Sequence, residues 1–301
     1  MPVTLNGRTP LVTVQVDGKP AVMVLETGAE STALTVSGAQ RLGIVADPTR
    51  TSLSGGISGL TRVPTAAVGP IALGPLSLAE SRRLVLALPT LEALRPTPGD
   101  GLLGIDLLSQ ADVDLDLPHG RMTLYPVGLC RAGLPNWKRP YAALPTWQAT
   151  NLWLGTQVEL DGRSFQALLD TGSAGTLIDK RATALLDLPE PPANIRRTQA
   201  HGIGDTPHDI YPYRFREMRI GPTRFPNPVL GVIDRPGYGF QAAPFLLGAQ
   251  YTNTQHLWLS YAARRIFVER AAAPPSPNNP APGKAATNSA APGDAARSVA
   301  P

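Results

Sequence analysis

The feature that most constrains this chain is an internal duplication with a constant shift of 144 residues. Glu26-Thr27-Gly28-Ala29 returns as Asp170-Thr171-Gly172-Ser173, because 170 − 26 is 144. The same shift relates three further pairs of segments: Asp17-Gly18 and Asp161-Gly162, Leu102-Leu103-Gly104 and Leu246-Leu247-Gly248, and residues 113–117 and 257–261. Chance would rarely keep one register over such separate segments. The sequence therefore predicts two similar halves related by a pseudo-twofold axis.

Each copy has the pattern of short β-strands. Leu11–Val16 alternates apolar and polar residues with the period of a half-buried strand, whereas residues 21–25 are continuously apolar, as in a strand buried on both faces. Asp17-Gly18 between them is typical of a tight hairpin turn. Residues 36–43 and 180–188 are expected to be short helices. Because the chain also has 29 Gly, 32 Pro and only 17% charged residues, we expect an all-β fold.

The pattern divides the chain into four parts. Residues 1–125 form the first copy, 126–150 a linker, 151–270 the second copy and 271–301 a tail. The linker contains four prolines together with Trp137, Tyr141 and Trp147, so we expect it to pack against the body rather than extend into solvent. The tail is rich in Ala, Pro, Asn and Ser and is predicted to be disordered, because it has little apolar surface to bury.

A carboxylate directly follows the buried strand of each copy. Burial disfavours a charge unless hydrogen bonds or a function compensate, so Glu26 and Asp170 are candidates for chemistry. The pseudo-twofold axis is expected to bring them face to face, where two carboxyl groups share one proton. One can then activate a water as general base while the other, protonated, polarises a substrate carbonyl. Thr27 and Thr171 are expected to hydrogen-bond the neighbouring loop.

These motifs resemble the retropepsin-like aspartic proteases, the family of the pepsin-like and retroviral enzymes, in a bacterial single-chain tandem form. In that family an apolar-Asp-Thr-Gly-Ala/Ser loop is paired with a later apolar-apolar-Gly segment. The resemblance covers about residues 10–270. It implies two lobes around a central cleft, an aspartic-type endopeptidase acting on a peptide or protein substrate, and no cofactor or metal.

The resemblance also implies glycine-rich flap hairpins that close over the substrate. Candidates lie between the two motifs of each copy, and an ordinary glycine-rich loop remains the alternative. These candidate flap residues are Gly55, Gly56, Ile57, Ser58 and Gly59 in the first copy, and His201, Gly202, Ile203 and Gly204 in the second.

The chain departs from the family at position 26, where the family has Asp and this chain has Glu26. The additional methylene adds about 1.5 Å of reach, and a misplacement of about 1 Å can cost on the order of a hundredfold in rate. Two hypotheses follow: a protease with weak or specialised activity, and an impaired pseudoprotease that binds peptides. A second difference is Ser173, whose hydroxyl could bond Asp170 where the first copy has Ala29. This favours Asp170 as the ionised partner and Glu26 as the proton carrier.

Other candidate sites are weaker. His201, Asp205, His208 and Asp209 match no standard zinc spacing, and Ser31 and Ser173 lack a His partner at a recognisable spacing. Asp112, Asp114 and Asp116 are interpreted as the solvated face of a strand, because the glycine and terminal Glu of a calcium loop are missing. We interpret His119 and His256 as loop or surface residues, Asp106 as a structural residue that opens a short helix, and the lone Cys130 as an unreactive thiol.

Several partner classes are disfavoured. The net charge is +4, but Lys and Arg form no stripe, so nucleic-acid binding is not expected. The chain has no apolar run of about 18 residues that could span a membrane. Residues 1–7 show no leader pattern, so the location stays open: periplasmic or secreted if a leader was removed, and cytoplasmic otherwise. Both half-sites are in one chain, which favours a monomer.

Overall fold

The structure is a computed structural model that describes residues 1–94, 98–127, 133–148, 153–189, 191, 194–200, 202–204, 206–234 and 242–270. The predicted tail and Cys130 lie outside this range. Residues 1–270 form one compact unit. The described residues of this unit form two ten-stranded sheets and one five-stranded sheet.

The first ten-stranded sheet comes from the first copy. Its order is β5-β6-β9-β4-β10-β3-β2-β7-β8, with β1 on β2. The strands are β1 (Thr4–Asn6), β2 (Thr9–Val16), β3 (Lys19–Leu25), β4 (Ala33–Thr35), β5 (Asp47–Gly56), β6 (Gly59–Val68), β7 (Ile71–Leu73), β8 (Leu76–Leu78), β9 (Ser81–Leu86) and β10 (Gly101–Leu103).

The chain continues with three strands that belong to the five-stranded sheet. They are β11 (Ala111–Asp116), β12 (Arg121–Pro126) and β13 (Tyr141–Ala143). The second ten-stranded sheet then follows in the order β18-β19-β22-β17-β23-β16-β15-β20-β21, with β14 on β15. Its strands are β14 (Thr146–Gln148), β15 (Leu154–Leu160), β16 (Arg163–Leu169), β17 (Leu177–Asp179), β18 (Thr198–Ala200), β19 (His208–Arg214), β20 (Glu217–Ile220), β21 (Thr223–Pro226), β22 (Val229–Ile233) and β23 (Phe245–Leu247).

The two large sheets repeat one another, which confirms the predicted all-β fold with two similar lobes. In each, the strand that precedes the carboxylate pairs in parallel with the strand of the Leu-Leu-Gly motif: Leu25 pairs with Leu103, and Leu169 with Leu247. The turns Asp17-Gly18 and Asp161-Gly162 have positive φ at all four residues, as a tight hairpin requires. Buried Val, Leu and Ile side chains of both copies form one main core.

The five-stranded sheet joins the lobes in the order β12-β11-β24-β25-β13, where β24 is His256–Ser260 and β25 is Arg265–Glu269. Its central strands β11 and β24 are equivalent in the two copies and pair antiparallel. Asp114 lies opposite Trp258, its own equivalent 144 positions later. A residue that faces its own repeat marks a twofold axis, so the pseudo-twofold axis passes through this pair.

The helices are short. The described residues form α1 (Val36–Leu42), α2 (Pro89–Glu92), α3 (Ile105–Leu108), α4 (Lys180–Thr183) and α5 (Ala249–Thr252), with 3₁₀ turns at Leu117–His119 and Ala184–Leu186. The hydroxyl of Thr35 caps α1, and Gly43 ends it with a φ of 77°. The helix predicted over 180–188 is therefore α4 followed by a 3₁₀ turn. Among the described residues, no helix is both long enough and apolar enough to cross a membrane.

The described part of the predicted linker packs against the body, as expected. Strand β13 pairs with β25, and β14 pairs with β15. The Trp137 ring lies 4.1 Å from the ring of His256, and its Nε1 donates to Asp114. The linker thus covers one face of the sheet that joins the lobes.

This packing overturns two expectations. Asp112 and Asp116 are 5% and 6% exposed, so the predicted solvated face is wrong: β11 lies between β12 and β24 and is buried there. His256 is also not a surface residue, because it lies in β24 with hydrogen bonds of 2.6 Å to Asp114 and 2.9 Å to Glu269. The side chain of His119 is 66% exposed, as predicted.

Candidate functional site

The two carboxylates occupy equivalent positions at the ends of β3 and β16. The peptide N–H of Glu26 donates to Leu103 O at 3.0 Å, and that of Asp170 donates to Leu247 O at 3.0 Å. The Leu-Leu-Gly strand therefore fixes the backbone position from which each carboxylate side chain projects. The structure brings the two predicted loops together.

Reciprocal hydrogen bonds between the threonines hold the loops in contact. The Thr27 N–H donates to Thr171 Oγ1, and the Thr171 N–H donates to Thr27 Oγ1, both at 3.0 Å. The Thr27 hydroxyl donates to Leu169 O at 2.8 Å, and the Thr171 hydroxyl donates to Leu25 O at 2.5 Å. Both threonines are buried. The predicted bonding of each Thr to the neighbouring loop is therefore observed.

The loop glycines allow the carboxyl groups to meet. A Cβ atom at Gly28 would lie 2.8 Å from Cγ of Asp170, and one at Gly172 would overlap the carboxyl group of Glu26. Each carboxyl group thus packs on the glycine of the opposite loop. A larger residue at either position would therefore displace the opposite carboxyl group.

The pKa of Glu26 is raised well above its usual value of 4.5. Burial is the largest cause, followed by repulsion from Asp170 and a hydrogen bond with the Asp170 side chain; hydrogen bonds from the Gly28 and Gly172 backbones act in the opposite direction. Burial and the neighbouring Asp170 carboxyl group therefore both favour the protonated form of Glu26.

The two carboxylates have different local donors. Glu26 Oε1 accepts from the Gly28 N–H at 3.0 Å, whereas Asp170 Oδ1 accepts from the Ser173 N–H at 2.9 Å. The expectation that the Ser173 hydroxyl bonds Asp170 is wrong: that hydroxyl donates to Gly175 O at 2.9 Å. It reaches a carbonyl of its own turn, and the Ser173 backbone serves Asp170 instead. Ala29 takes the equivalent position, with its N–H 3.3 Å from Glu26 O.

Behind each loop, a threonine and a polar helix residue form a hydrogen-bonded support. The local sequence does not predict this role. Thr32 donates through N–H and hydroxyl to Asp106 Oδ1, at 2.9 and 2.6 Å, and Arg83 pairs with Asp106 Oδ2 at 2.7 Å. Asp106 lies in the first turn of α3, in agreement with the structural role predicted for it. In the second copy, Gln250 Oε1 accepts from the Thr176 N–H at 2.9 Å. The one sequence signal for this support is that Thr32 and Thr176 are related by the same shift of 144 residues as the two carboxylates.

The glycine-rich tips of two hairpins meet above the carboxylates. The β5–β6 hairpin carries Gly55–Gly59, and the described part of the β18–β19 tip includes residues 202–204. Ser58 N–H donates to Ile203 O at 3.1 Å, and the Thr206 N–H donates to Ser58 O at 3.2 Å. Gly56 lies against Ile203, and Gly202 against Ile57. The candidate flap residues therefore lie together, except His201, which is outside the described residues.

A cleft of about 1040 Å³ lies between the lobes. Glu26 and Asp170 face it, and residues of both hairpins cover it. Aliphatic side chains form most of its walls. On the first-lobe side they include Val24, Ala33, Leu53, Leu84, Leu86, Leu88, Leu91, Leu94 and Leu102; on the second-lobe side they include Leu168, Leu177, Ile210, Leu230 and Leu246.

In the described part of the chain, no group of three or more His, Cys, Asp or Glu side chains is placed so that it could hold a metal ion. Of the four His and Asp residues considered above as a zinc site, His208 and Asp209 lie in β19, and His201 and Asp205 are outside the described residues. Arg197 pairs with Asp209 at 3.6 Å.

Comparison with known proteins agrees with the duplication. The model of one family, described as aspartyl protease, matches residues 12–107 and 156–251, two segments that are again 144 positions apart. No curated protein matches the chain. A solved structure of an aspartic proteinase from Irpex lacteus is 13% identical, covers 90% of this chain and 96% of its own, and has a TM-score of 0.49.

Proposed function

This chain belongs to the aspartyl protease family, and from that premise we propose that it is an aspartic-type endopeptidase whose acid–base pair is Glu26 and Asp170. The observation that carries the proposal is the contact between these carboxyl groups in the cleft, with the pKa of Glu26 raised by burial and by Asp170. Two carboxyl groups that share one proton can supply both the base and the acid for peptide hydrolysis by an activated water.

In the proposed mechanism, ionised Asp170 takes a proton from a water that attacks the scissile carbonyl. Protonated Glu26 gives its proton to the carbonyl oxygen as the water oxygen bonds to the carbonyl carbon, and a tetrahedral diol forms. Proton transfer from Asp170 to the amide nitrogen then breaks the C–N bond, and a diol hydroxyl returns its proton to Glu26. The raised pKa of Glu26 supports the division of roles, because the proton is held there before substrate binds. No covalent intermediate with the protein forms.

The proposed substrate is an extended peptide that lies in the cleft beneath the hairpins. An extended peptide can bind by pairing its backbone with the edge of a neighbouring strand, and the hairpins that cover the cleft contain strands that can pair in this way. Gly55, Gly56 and Gly59 in the first tip, and Gly202 and Gly204 in the second, allow both to bend during entry. Ser58 and Ile203 join the tips once the flaps close.

A second candidate is a peptide-binding pseudoprotease. The longer side chain of Glu26 favours it, since this carboxyl group takes its N–H donor two residues on, whereas Asp170 takes one three residues on. The two carboxylates are therefore not mirror images. The same cleft would then bind peptides without hydrolysing them.

The deciding experiment is incubation with a mixed peptide library between about pH 3 and 6, the range in which a proton-sharing pair works. We expect cleavage that is lost in Asp170→Asn and in Glu26→Gln and kept in Glu80→Gln, which makes the same substitution at an exposed surface position. Absence of wild-type cleavage, with peptide binding unchanged in Asp170→Asn, would establish the pseudoprotease instead.

We also propose that the protein acts as a monomer, since one chain supplies both carboxylates and both hairpins. The proposed domain boundaries are those of the duplication: lobes over 1–125 and 151–270, joined by the linker 126–150. Sedimentation at the assay concentration tests the monomer, and limited proteolysis tests the boundaries.

A further inference from the structure

The segment before β13, residues 134–140, lies on the sheet that joins the lobes. We call this segment the strap. Leu257 and Leu259 of β24 belong to the main core, so Trp258 between them points to the opposite face of the sheet. Trp258 is fully buried there, and the ring of Trp137 in the strap packs edge to face on it at 6.3 Å. The strap therefore covers aromatic surface of the sheet in which the two copies meet.

On this face His256 lies between two carboxylates. Its Nε2 is 2.6 Å from Asp114 Oδ1, and its Nδ1 is 2.9 Å from Glu269 Oε2. Asp114 comes from the first copy, whereas His256 and Glu269 come from the second. Each of the three side chains is at most 18% exposed, so water competes little for these contacts.

The same two carboxylates hold the strap. Asp114 Oδ1 also accepts from Trp137 Nε1 at 3.2 Å, and Glu269 Oε1 lies 3.3 Å from Arg139 Nε. The Trp137 ring is in addition 4.1 Å from the ring of His256. The strap thus has one anchor on each carboxylate that His256 contacts, and a change at His256 acts on both anchors.

Only the charged form of His256 fits both contacts. An imidazolium has two N–H donors, one for each carboxylate, whereas the neutral ring has one donor and one lone pair. Loss of the proton therefore leaves a lone pair facing a carboxylate oxygen at hydrogen-bond distance, and one of the two contacts has to open. The attraction between the ring and the Trp137 indole weakens at the same time, because a cation within about 6 Å of an aromatic face is attracted to it.

The ion pairs around His256 carry more negative than positive charge when its ring is neutral. In the described part of the chain they contain three carboxylates and two arginines: Asp114, Asp116, Glu269, Arg121 and Arg139. Asp116 lies opposite His256 in the pairing of β11 with β24, and the side chain of His119, which bonds Asp116, is 66% exposed. Burial, the largest single effect, lowers the pKa of His256, but the hydrogen bonds and charges of the carboxylates outweigh it and raise this pKa above 6.5.

We propose that the charge on His256 holds the strap on the sheet that joins the lobes, and that loss of this charge releases the strap and uncovers Trp258. The strap is then closed below pH 6.5 and opens as pH rises through the closed-state pKa of His256. This release goes beyond the proposed hydrolysis, because it takes place on the joining sheet and uses neither Glu26 nor Asp170. It sets an upper pH limit for the closed form that those two carboxylates do not set.

Three variants separate this release from a general change in stability. In Glu269→Gln the amide oxygen can keep the contact with Arg139, while the amide N–H can donate to Nδ1 of a neutral His256 whose Nε2–H donates to Asp114. The strap should therefore stay closed in this variant without the charge. His256→Gln should release the strap at every pH, because a neutral side chain replaces the charged ring. His119→Gln is the matched control, since it removes an exposed histidine that bonds neither anchor.

The first assay is trypsin cleavage after Lys138 in the strap, identified by fragment mass. Its rate is divided by the rate for a free peptide of residues 134–143, which corrects for the pH dependence of trypsin. Because cleavage follows the population of the open form, the wild-type ratio should rise by up to about tenfold per pH unit between pH 6.5 and the closed-state pKa of His256. His119→Gln should show the same rise, Glu269→Gln a low constant ratio and His256→Gln a high constant ratio. A constant wild-type ratio, or an equal rise in Glu269→Gln, overturns the proposal.

The second assay needs no protease. The indole N–H resonance of Trp137, identified by its loss in Trp137→Phe, reports the anchor on Asp114. In wild type it should move with the same midpoint as the ring protons of His256, above pH 6.5, and in Glu269→Gln it should keep its position. An indole resonance that stays in place while His256 titrates refutes the release. Thermal unfolding in acid verifies that each variant is folded.

The outcome for the strap is distinguishable from the outcome for the proposed function. Release of the strap in a protein that cleaves no peptide would keep the role of His256 and reject the hydrolysis. Peptide cleavage by a protein whose strap stays closed as His256 titrates would do the reverse.

Discussion

Replacing Thr171 by Val tests how the two half-sites are held together. The substitution keeps the side-chain shape and removes one hydroxyl. That hydroxyl accepts from the Thr27 N–H at 3.0 Å and donates to Leu25 O at 2.5 Å, both in the buried interface between the loops. Each buried backbone group that loses its partner costs about 1–3 kcal/mol. We therefore expect Thr171→Val to lower the free energy of unfolding by about 2–6 kcal/mol.

Such a loss is large against a total stability of about 5–15 kcal/mol for a typical domain. Urea denaturation followed by tryptophan fluorescence measures it. Thr13→Val is the matched control, because Thr13 is exposed on β2 and a surface substitution changes stability by no more than about 0.5 kcal/mol. Thr171→Ser keeps the hydroxyl and should lose much less than Thr171→Val.

Thr27→Val should have a cost in the same range, because its hydroxyl donates to Leu169 O and accepts from the Thr171 N–H. The double variant should cost less than the sum of the single variants by at least about 0.5 kcal/mol, since the two hydroxyls belong to one network. The reasoning is refuted if Thr171→Val unfolds within about 0.5 kcal/mol of wild type, or if Thr171→Ser is as damaging as Thr171→Val.

Three further predictions concern the carboxylates and the sheet that joins the lobes. Because the pKa of Glu26 is raised, wild type should lose stability as pH rises above 4.5, by up to about 1.4 kcal/mol per pH unit until the folded-state pKa is reached; Glu26→Gln should remove this dependence in urea titrations across pH. Gly172→Ala should abolish cleavage, because its Cβ overlaps the Glu26 carboxyl group; peptide hydrolysis measures this. Burial opposes the charge on His256, yet hydrogen bonds to Asp114 and Glu269 outweigh this effect and raise the pKa of His256. The stabilisation of the fold by charged His256 should therefore be complete below pH 6.5 and disappear as pH rises through the folded-state pKa. Thermal unfolding across pH measures the difference in stability between wild type and His256→Gln.

Each has an outcome that contradicts it. A Glu26→Gln protein with the same pH dependence as wild type would place the bound proton elsewhere. Full activity in Gly172→Ala would mean that the loops can move apart without loss. Equal pH dependence of unfolding in wild type and His256→Gln would remove His256 from the titration.

Much of the fold followed from local sequence. The shift of 144 predicted two similar lobes, and apolar periodicity with Asp-Gly turns predicted strands β2 and β3 and the hairpin between them. Those signals are short-range, since burial alternates along a strand and positive φ is a property of the turn residues. The position of Glu26 and Asp170 at strand ends could be read in the same way.

The residues that tertiary structure alone identified have no local signature. His256 and Asp112 looked like solvated residues in their own segments, but the pairing of β11 with β24 leaves Asp112 buried and His256 only partly exposed. The hydroxyl of Ser173 could reach two acceptors, and the geometry of its turn directs it to Gly175. Ile203 packs against a cluster whose buried members all lie more than a hundred positions earlier in the chain, which no periodic pattern encodes: Leu11, Val24, Ala33, Leu86, Leu88 and Leu91.

The sequence by itself determined that the chain is a duplicated all-β unit with one carboxylate at the end of a buried strand in each copy. Repeats and periodicity are visible in one dimension. Only the tertiary structure decided the environment of the pair: the pKa of Glu26 is raised by burial and by the nearby Asp170 carboxylate, 144 positions away in the chain. Close approach across the pseudo-twofold axis is set by Thr27, Thr171 and the loop glycines acting together.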